Sequence, residues 1–226
     1  AVAKQALAQY GIVVGSHILQ INDIKEERFN PMGVSDAELA ELHAKKFAVM
    51  NDVVGEKMQE RILQAKSELN SVGGVIEAIA LRLPAGIGAP YSDSVESMLS
   101  HALFSVPAVK GIEFGDGFGF AGLTGAEAND ALHYVDGKVQ TLTNHNGGVT
   151  GGITNGMPLV VRVAIKPTPS IAREQQTVSL KEQADTTLAI VGRHDPCIVQ
   201  RAVPVIEAVV AWTLWDLLLE AKKWEK

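Results

Sequence analysis

Three segments in the second half of this chain gather residue types that can handle an anion or a proton. Residues 144–156, NHNGGVTGGITNG, place five glycines within ten positions. Glycine lets backbone N–H groups turn toward an anion or a flat ligand. No Gly-Lys-Ser/Thr follows, so this is not a Walker A loop, and it is not a GxGxxG motif after a strand. The alternative is a flexible hairpin loop. His145 stands within the segment, where it can contact a ligand. In IKPTPS, residues 165–170, Lys166 supplies a cation, Thr168 and Ser170 supply hydroxyls, and Pro167 and Pro169 stiffen the loop. Such a group can hold a phosphate, unless it is only a rigid exit from a strand with a solvated lysine. In GRHDPC, residues 192–197, Arg193 can grip a carboxylate or phosphate bidentately, His194 titrates near neutral pH, and Asp195 can serve as a general base. An Asp before a Pro is equally a good helix cap.

Other reactive types rank lower. Cys197 is the only cysteine, which excludes a disulfide framework and reads as a buried small side chain. His17, His43 and His101 fall on expected elements as structural or solvated residues. No His/Cys spacing suggests a zinc site, and no metal is expected. Trp212, Trp215 and Trp224 share a helical spacing that suits a core or subunit contact.

Alternating helical and strand patterns must position these groups. Residues 1–10 read as the tail of a helix that starts without a cap, as though the front of the chain were lost; a processed terminus is the alternative. GIVVGSHILQI (11–21) is a strand and 22–34 a loop. Ser35 and Glu38 have capping-box spacing before a helical run, and a second run covers about 52–69. Gly73–Gly74 is a turn, 75–83 a strand and 84–92 a loop. Asp93 with Glu96 offers another capping box before a helix over 94–104. VKGIEFGDGFGFAGL (109–123) suggests a strand with a bulge. Strands follow at 158–167 and 186–191. Asp195–Pro196 caps a C-terminal helix that Pro204 should kink or restart, leaving a long amphipathic helix over 205–223. The plan is an α+β fold in one domain, 1–226, with helices packed on sheets.

The chain has 226 residues and a net charge of −6. With 46% hydrophobic residues it has material for a real core, which excludes general disorder. A pI near 5.5 argues against nucleic-acid binding. The apolar stretches are broken by charge before about 20 residues, so no membrane span is expected. A lysine within the first residues excludes a signal peptide pattern, and a cytoplasmic protein is expected.

These segments, in this order, resemble the chorismate synthase family. GRHDPCIVQRAVPVIEAVVA (192–211) is similar to its C-terminal signature. NHNGGVTGGITNGMP and KPTPSI are similar to its central flavin loops, and residues 73–118 to the stretch before them. The resemblance covers the whole chain but only about the last two thirds of the family's enzyme; the Gly-Glu-Ser-His-Gly and Arg-Ser-Ser-Ala-Arg signatures are absent. It implies a β-α-β sandwich with antiparallel sheets and long helices. It implies conversion of 5-enolpyruvylshikimate 3-phosphate to chorismate by 1,4-elimination of phosphate, a lyase reaction that needs reduced FMN. It further implies NADP among the associated cofactors, an external flavin reductase and a homotetramer. Position by position, it assigns flavin contacts to Pro107, Ala108, Gly151, Lys166, Pro167, Thr168, Pro169, Ser170 and Arg193. The family commonly has Asn-Ala where this chain has Pro107–Ala108, a change that a backbone contact would tolerate. Arg193 would also face the substrate's anionic groups, and Asp195 would assist proton traffic at flavin N5. The chain by itself is expected to be inactive. The alternatives are a flavin- or anion-binding module, or an assembly piece.

Overall fold

The computed structural model describes residues 2–222. The chain opens with α1 (Val2–Ala8), β1 (Val13–Ile21) and a two-residue β2 (Ile24–Lys25), followed by α2 (Asp36–Ala44) and α3 (Asp52–Ser67). Next come β3 (Gly74–Leu81), α4 (Val95–Phe104) and β4 (Val109–Phe114). Two short hairpins follow, β5 (Leu132–Val135) with β6 (Lys138–Thr141), and β7 (Val149–Thr150) with β8 (Ile153–Thr154). After β9 (Leu159–Ile165), a third hairpin pairs β10 (Gln175–Ser179) with β11 (Ala184–Leu188), and α5 (Val199–Lys222) closes the fold.

β2, β1, β3, β9 and β4 form one antiparallel sheet in that order. Alternation along the strands sends Val14, Ile76, Ala78, Val161 and Val163 to one face, into a cluster with Leu99, Leu103, Ile206, Val210 and Leu214 of α4 and α5. The other face sends Ile79, Leu81 and Val160 to Phe29, Leu39 and Leu42. The sheet therefore has helices on both faces, the antiparallel α+β arrangement expected.

Several local expectations hold and several change. Ser35 and Glu38 form the expected capping box. The helix they start ends at Ala44, because Phe47 and Val49 leave the helical stripe to pack in the core. At α4 the cap is Ser94, which accepts the Ser97 N–H, and not Asp93. The strand over 109–123 stops at Phe114, where Gly115 and Gly117 take positive φ and the chain turns into a 3-10 helix. Asp195 caps nothing: α5 begins at Val199, and Asp195 pairs with Arg201 instead. Pro204 sits inside α5, which does not restart there, and Val199, Val203 and Ile206 around it are buried in the core. α5 is long and apolar enough to cross a membrane by length and composition. Its buried side lies on β1, β3, α1 and α4, which makes it a core helix here. Trp224 and the expected last residues of that helix lie outside the described residues.

Candidate functional site

The strands around β9 finish at a common edge. Ile165 pairs with Gly74 on one side and Val109 on the other. Just beyond that edge Lys166 donates its N–H to the Ala108 carbonyl at 2.9 Å. Sheet register thus brings Pro107–Ala108 beside the start of the KPTPS segment. Ala108 holds φ +75°, a left-handed backbone that costs an alanine roughly 1–2 kcal/mol. Such strain marks a place where the surroundings dictate the backbone.

The Ser71–Gly73 turn ties the third segment to the same edge. Ser71 Oγ donates to the Thr168 carbonyl at 2.6 Å. Val72 donates its N–H to the Pro196 carbonyl at 2.8 Å. A Cβ on Gly73 would collide with the Ile165 carbonyl and stand 3.0 Å from Pro167. Only a glycine lets this turn lie against the loop. The sequence showed Gly73 as a turn; its lack of bulk was the available sign of a close approach, and Ser71 carried no sign at all.

The result is an open shelf. Pro107, Lys166, Pro167, Pro169 and Arg193 are exposed, while Thr168, Ser170 and Asp195 are partly buried. Neither Lys166 nor Arg193 has an ion pair among the described residues. Their charge is therefore available to an incoming anion. Thr168 Oγ1 is buried and has no hydrogen-bond partner. A native structure seldom leaves such a group unmet. The unpartnered hydroxyl and the two cations without ion pairs are groups of the kind that can meet an anion. His194 Nε2 lies 2.9 Å from the Ile190 carbonyl. Burial pushes the Cys197 thiol up to about 11, which leaves it inert.

The glycine-rich segment goes elsewhere. Gly151 is the exposed tip of the β7–β8 hairpin, and that hairpin sits on the start of α4 through Val95 N–H and the Gly152 carbonyl, 3.0 Å apart. Ala108 lies past the other end of α4, about 15 Å away at 1.5 Å per residue. His145 is farther off: Val160 bonds the neighbouring Gly147, and Val160 is at the end of β9 away from Lys166, about 20 Å along the strand. His145 Nδ1 faces Asp116 Oδ2 at 2.6 Å. Asp130 fastens the loop by accepting from Thr143 Oγ1, from the N–H of His145 and Asn146, and from Asn146 Nδ2. Burial works to raise the Asp130 carboxyl, but these bonds hold it below the ordinary value.

A five-stranded antiparallel sheet with helices packed on both faces defines an α+β protein. The family profile described as chorismate synthase matches residues 1–219. The chain belongs to the chorismate synthase family. It is 46% identical over 224 residues to a chorismate synthase of Thermococcus gammatolerans and 43% over 223 residues to one of Pyrococcus abyssi; each match covers 99% of this chain and 61% of the relative. The chain thus spans about 61% of the length of the curated relatives it matches. A crystal structure of a chorismate synthase superposes with a TM-score of 0.78 at 29% identity, covering 97% of this chain and 60% of that one.

Proposed function

We propose that this chain forms part of a lyase that converts 5-enolpyruvylshikimate 3-phosphate to chorismate and phosphate with reduced FMN. The single observation that carries this reading is the convergence of Ala108, Lys166–Thr168 and Pro196 on the Ser71–Gly73 turn, where Thr168 Oγ1 has no hydrogen-bond partner. When bound, the flavin lends electron density to the departing phosphate and recovers it as the substrate loses a proton. The chain's own residues bind and orient. Thr168 donates its hydroxyl to a flavin polar atom, the Pro167 and Pro169 rings keep the loop rigid, and Ala108 and Ser170 border the cofactor. Lys166 and Arg193 concentrate positive charge locally in a chain of net charge −6. Arg193 faces the substrate's anionic groups as well. Asp195, half free of its exposed Arg201 partner, holds or passes a proton beside the flavin ring. Gly151, about 15 Å along α4 from Ala108, would reach only a part of the cofactor that extends beyond the shelf.

In this reading the chain acts as one domain, works in the cytoplasm within a homotetramer, and takes flavin reduced by a separate NADP-linked reductase. Because the shelf is open, residues 1–226 alone bind flavin without turnover. An anaerobic FMN titration of this chain, with and without the enolpyruvyl substrate and with chorismate measured in the same cell, tests both statements. Flavin binding without product is the expected result. A folded sample that binds no flavin overturns the assignment of the shelf.

A further inference from the structure

A row of charge crosses the buried face of the sheet. In the strand registers His17 stands opposite Glu77, Glu77 opposite Arg162, and Arg162 opposite Glu113. His17 and Glu77 are fully buried and Arg162 is 4% exposed. The Arg162 guanidinium lies 3.5 Å from Glu77 Oε1, and its Nε donates to Glu113 Oε2 at 3.2 Å. A further carboxylate arrives from outside the row: Glu26, its side chain buried, meets His17 Nδ1. The same carboxylate accepts the N–H of Met50 and Asn51, immediately ahead of α3, at 3.0–3.1 Å. Glu77 Oε2 takes His17 Nε2 at 3.1 Å and the Phe29 N–H at 2.7 Å. The Phe29 ring lies on the imidazole, centroids 4.3 Å apart.

Both ring nitrogens of His17 therefore face carboxylate oxygens. A neutral imidazole has one N–H and would turn a lone pair toward one of them; an imidazolium donates to both. Charge count points the same way. Without the proton, Glu26, Glu77 and Arg162 leave a net negative charge in the interior, with Glu113 adding to it from the rim; with the proton the buried set is balanced. Among the described residues, only Glu26 and Glu77 pair with the ring. α2 sends Leu39 and Leu42 to this face, and Lys45 just past it is engaged by Glu41, Asp52 and the Val49 carbonyl. Lys4, His43 and Glu207 gather on the opposite face with Ser16.

We propose that His17 is a proton-operated latch: as an imidazolium it ties residues 26–34 and the start of α3 to the sheet, and on losing its proton it releases them. The released strap reaches the glycine-rich loop. Arg28 stands 4.0 Å from Asp116, which orients His145, and the Pro31 carbonyl accepts from Asn144 Nδ2 at 2.8 Å. Burial by itself lowers the proton affinity of His17, but the bonds and charges of Glu26 and Glu77 outweigh it, so its pKa lies above the ordinary 6.5. The latch is fully closed below that ordinary value and opens as pH rises through the raised one. The inference concerns this chain's own residues and stands apart from the flavin reading.

NMR of histidine-labelled protein, titrated from pH 6 to 10, reads the charge of His17 directly, and amide exchange reads the strap. The expected result is a His17 that loses its second ring proton only above the ordinary 6.5. As it titrates, protection at Phe29, Met50 and Asn51 should fall about tenfold beyond the base-catalysed trend. In Glu26→Gln the same transition should move to lower pH. A His17 that loses its second ring proton at or below the ordinary 6.5, or protection indifferent to its titration, overturns the latch. Should Glu26→Gln fail to fold, the wild-type titration decides alone.

Discussion

Ser71 Oγ donates to the Thr168 carbonyl at 2.6 Å across 97 residues of chain. The bond consumes the backbone acceptor of Thr168 and leaves its side-chain hydroxyl without a partner. The loop is thus fastened to the turn through its main chain and not through its side chain.

Thr168→Val tests that division. Removing a buried donor that already lacks a partner should leave stability unchanged or raise it by up to about 1 kcal/mol. Flavin affinity should fall about tenfold in the same variant. Urea unfolding and an FMN titration read the two effects separately, and a loss of stability with unchanged affinity would count against the shelf.

Arg193→Ala should weaken the binding of FMN and of the anionic substrate about 10- to 100-fold, the worth of a charge-assisted bond. The fold should not notice, since Arg193 is exposed and has no ion pair among the described residues. Isothermal titration beside a thermal melt checks both halves.

Asp195→Ala should abolish most chorismate formation by the full-length enzyme while sparing flavin binding. Its pair with Arg201 is largely exposed, so the structural cost should stay within about 1 kcal/mol. Full activity in this variant would remove Asp195 from the proton path.

Gly73→Ala should destabilise by about 1–3 kcal/mol, because the new methyl meets the Ile165 carbonyl and the Pro167 ring. Gly11→Ala is the control: φ is +74° there and nothing lies within 4 Å. That swap should cost only backbone strain, about 1 kcal/mol. Paired urea denaturation curves discriminate the two causes, and only Gly73→Ala should disturb flavin binding.

Cys197 should resist alkylation at pH 8. With its thiol pushed up to about 11 by burial, about one molecule in a thousand carries the thiolate there. Mass spectrometry after iodoacetamide, native against urea-unfolded, reads the contrast.

Much of the sheet was legible because β1, β3 and β9 are Val/Ile-rich runs buried on both faces, and α2 announced itself through Ser35 and Glu38. The hairpins β5–β6 and β10–β11 were not, apart from the strand expected over 186–191, which overlaps β11 (Ala184–Leu188). They are polar and largely exposed, so no buried face imprints a period on Gln175–Ser179 or Ala184–Leu188. At the site, the residue types of IKPTPS and GRHDPC were visible but their partner was not, because Ser71 and Gly73 act through a single hydroxyl and the absence of a side chain. The Asp195 cap failed for a local reason: α5 starts only at Val199, beyond its reach. The charge row was hidden too, since His17, Glu77, Arg162 and Glu113 become neighbours only when strands distant in sequence pair.

β9 lies between β3 and β4, although β4 precedes it in the chain. β4 pairs with β9 alone. During synthesis β4 therefore emerges as an orphan strand and waits, through two hairpins, for the strand that will seat it. The Ala108–Lys166 contact closes in that same event, so the shelf is among the last parts of the sheet to assemble. Exposed strand edges in that interval invite wrong pairing, and a nascent chain halted before Leu159 would carry β4 with no place to dock.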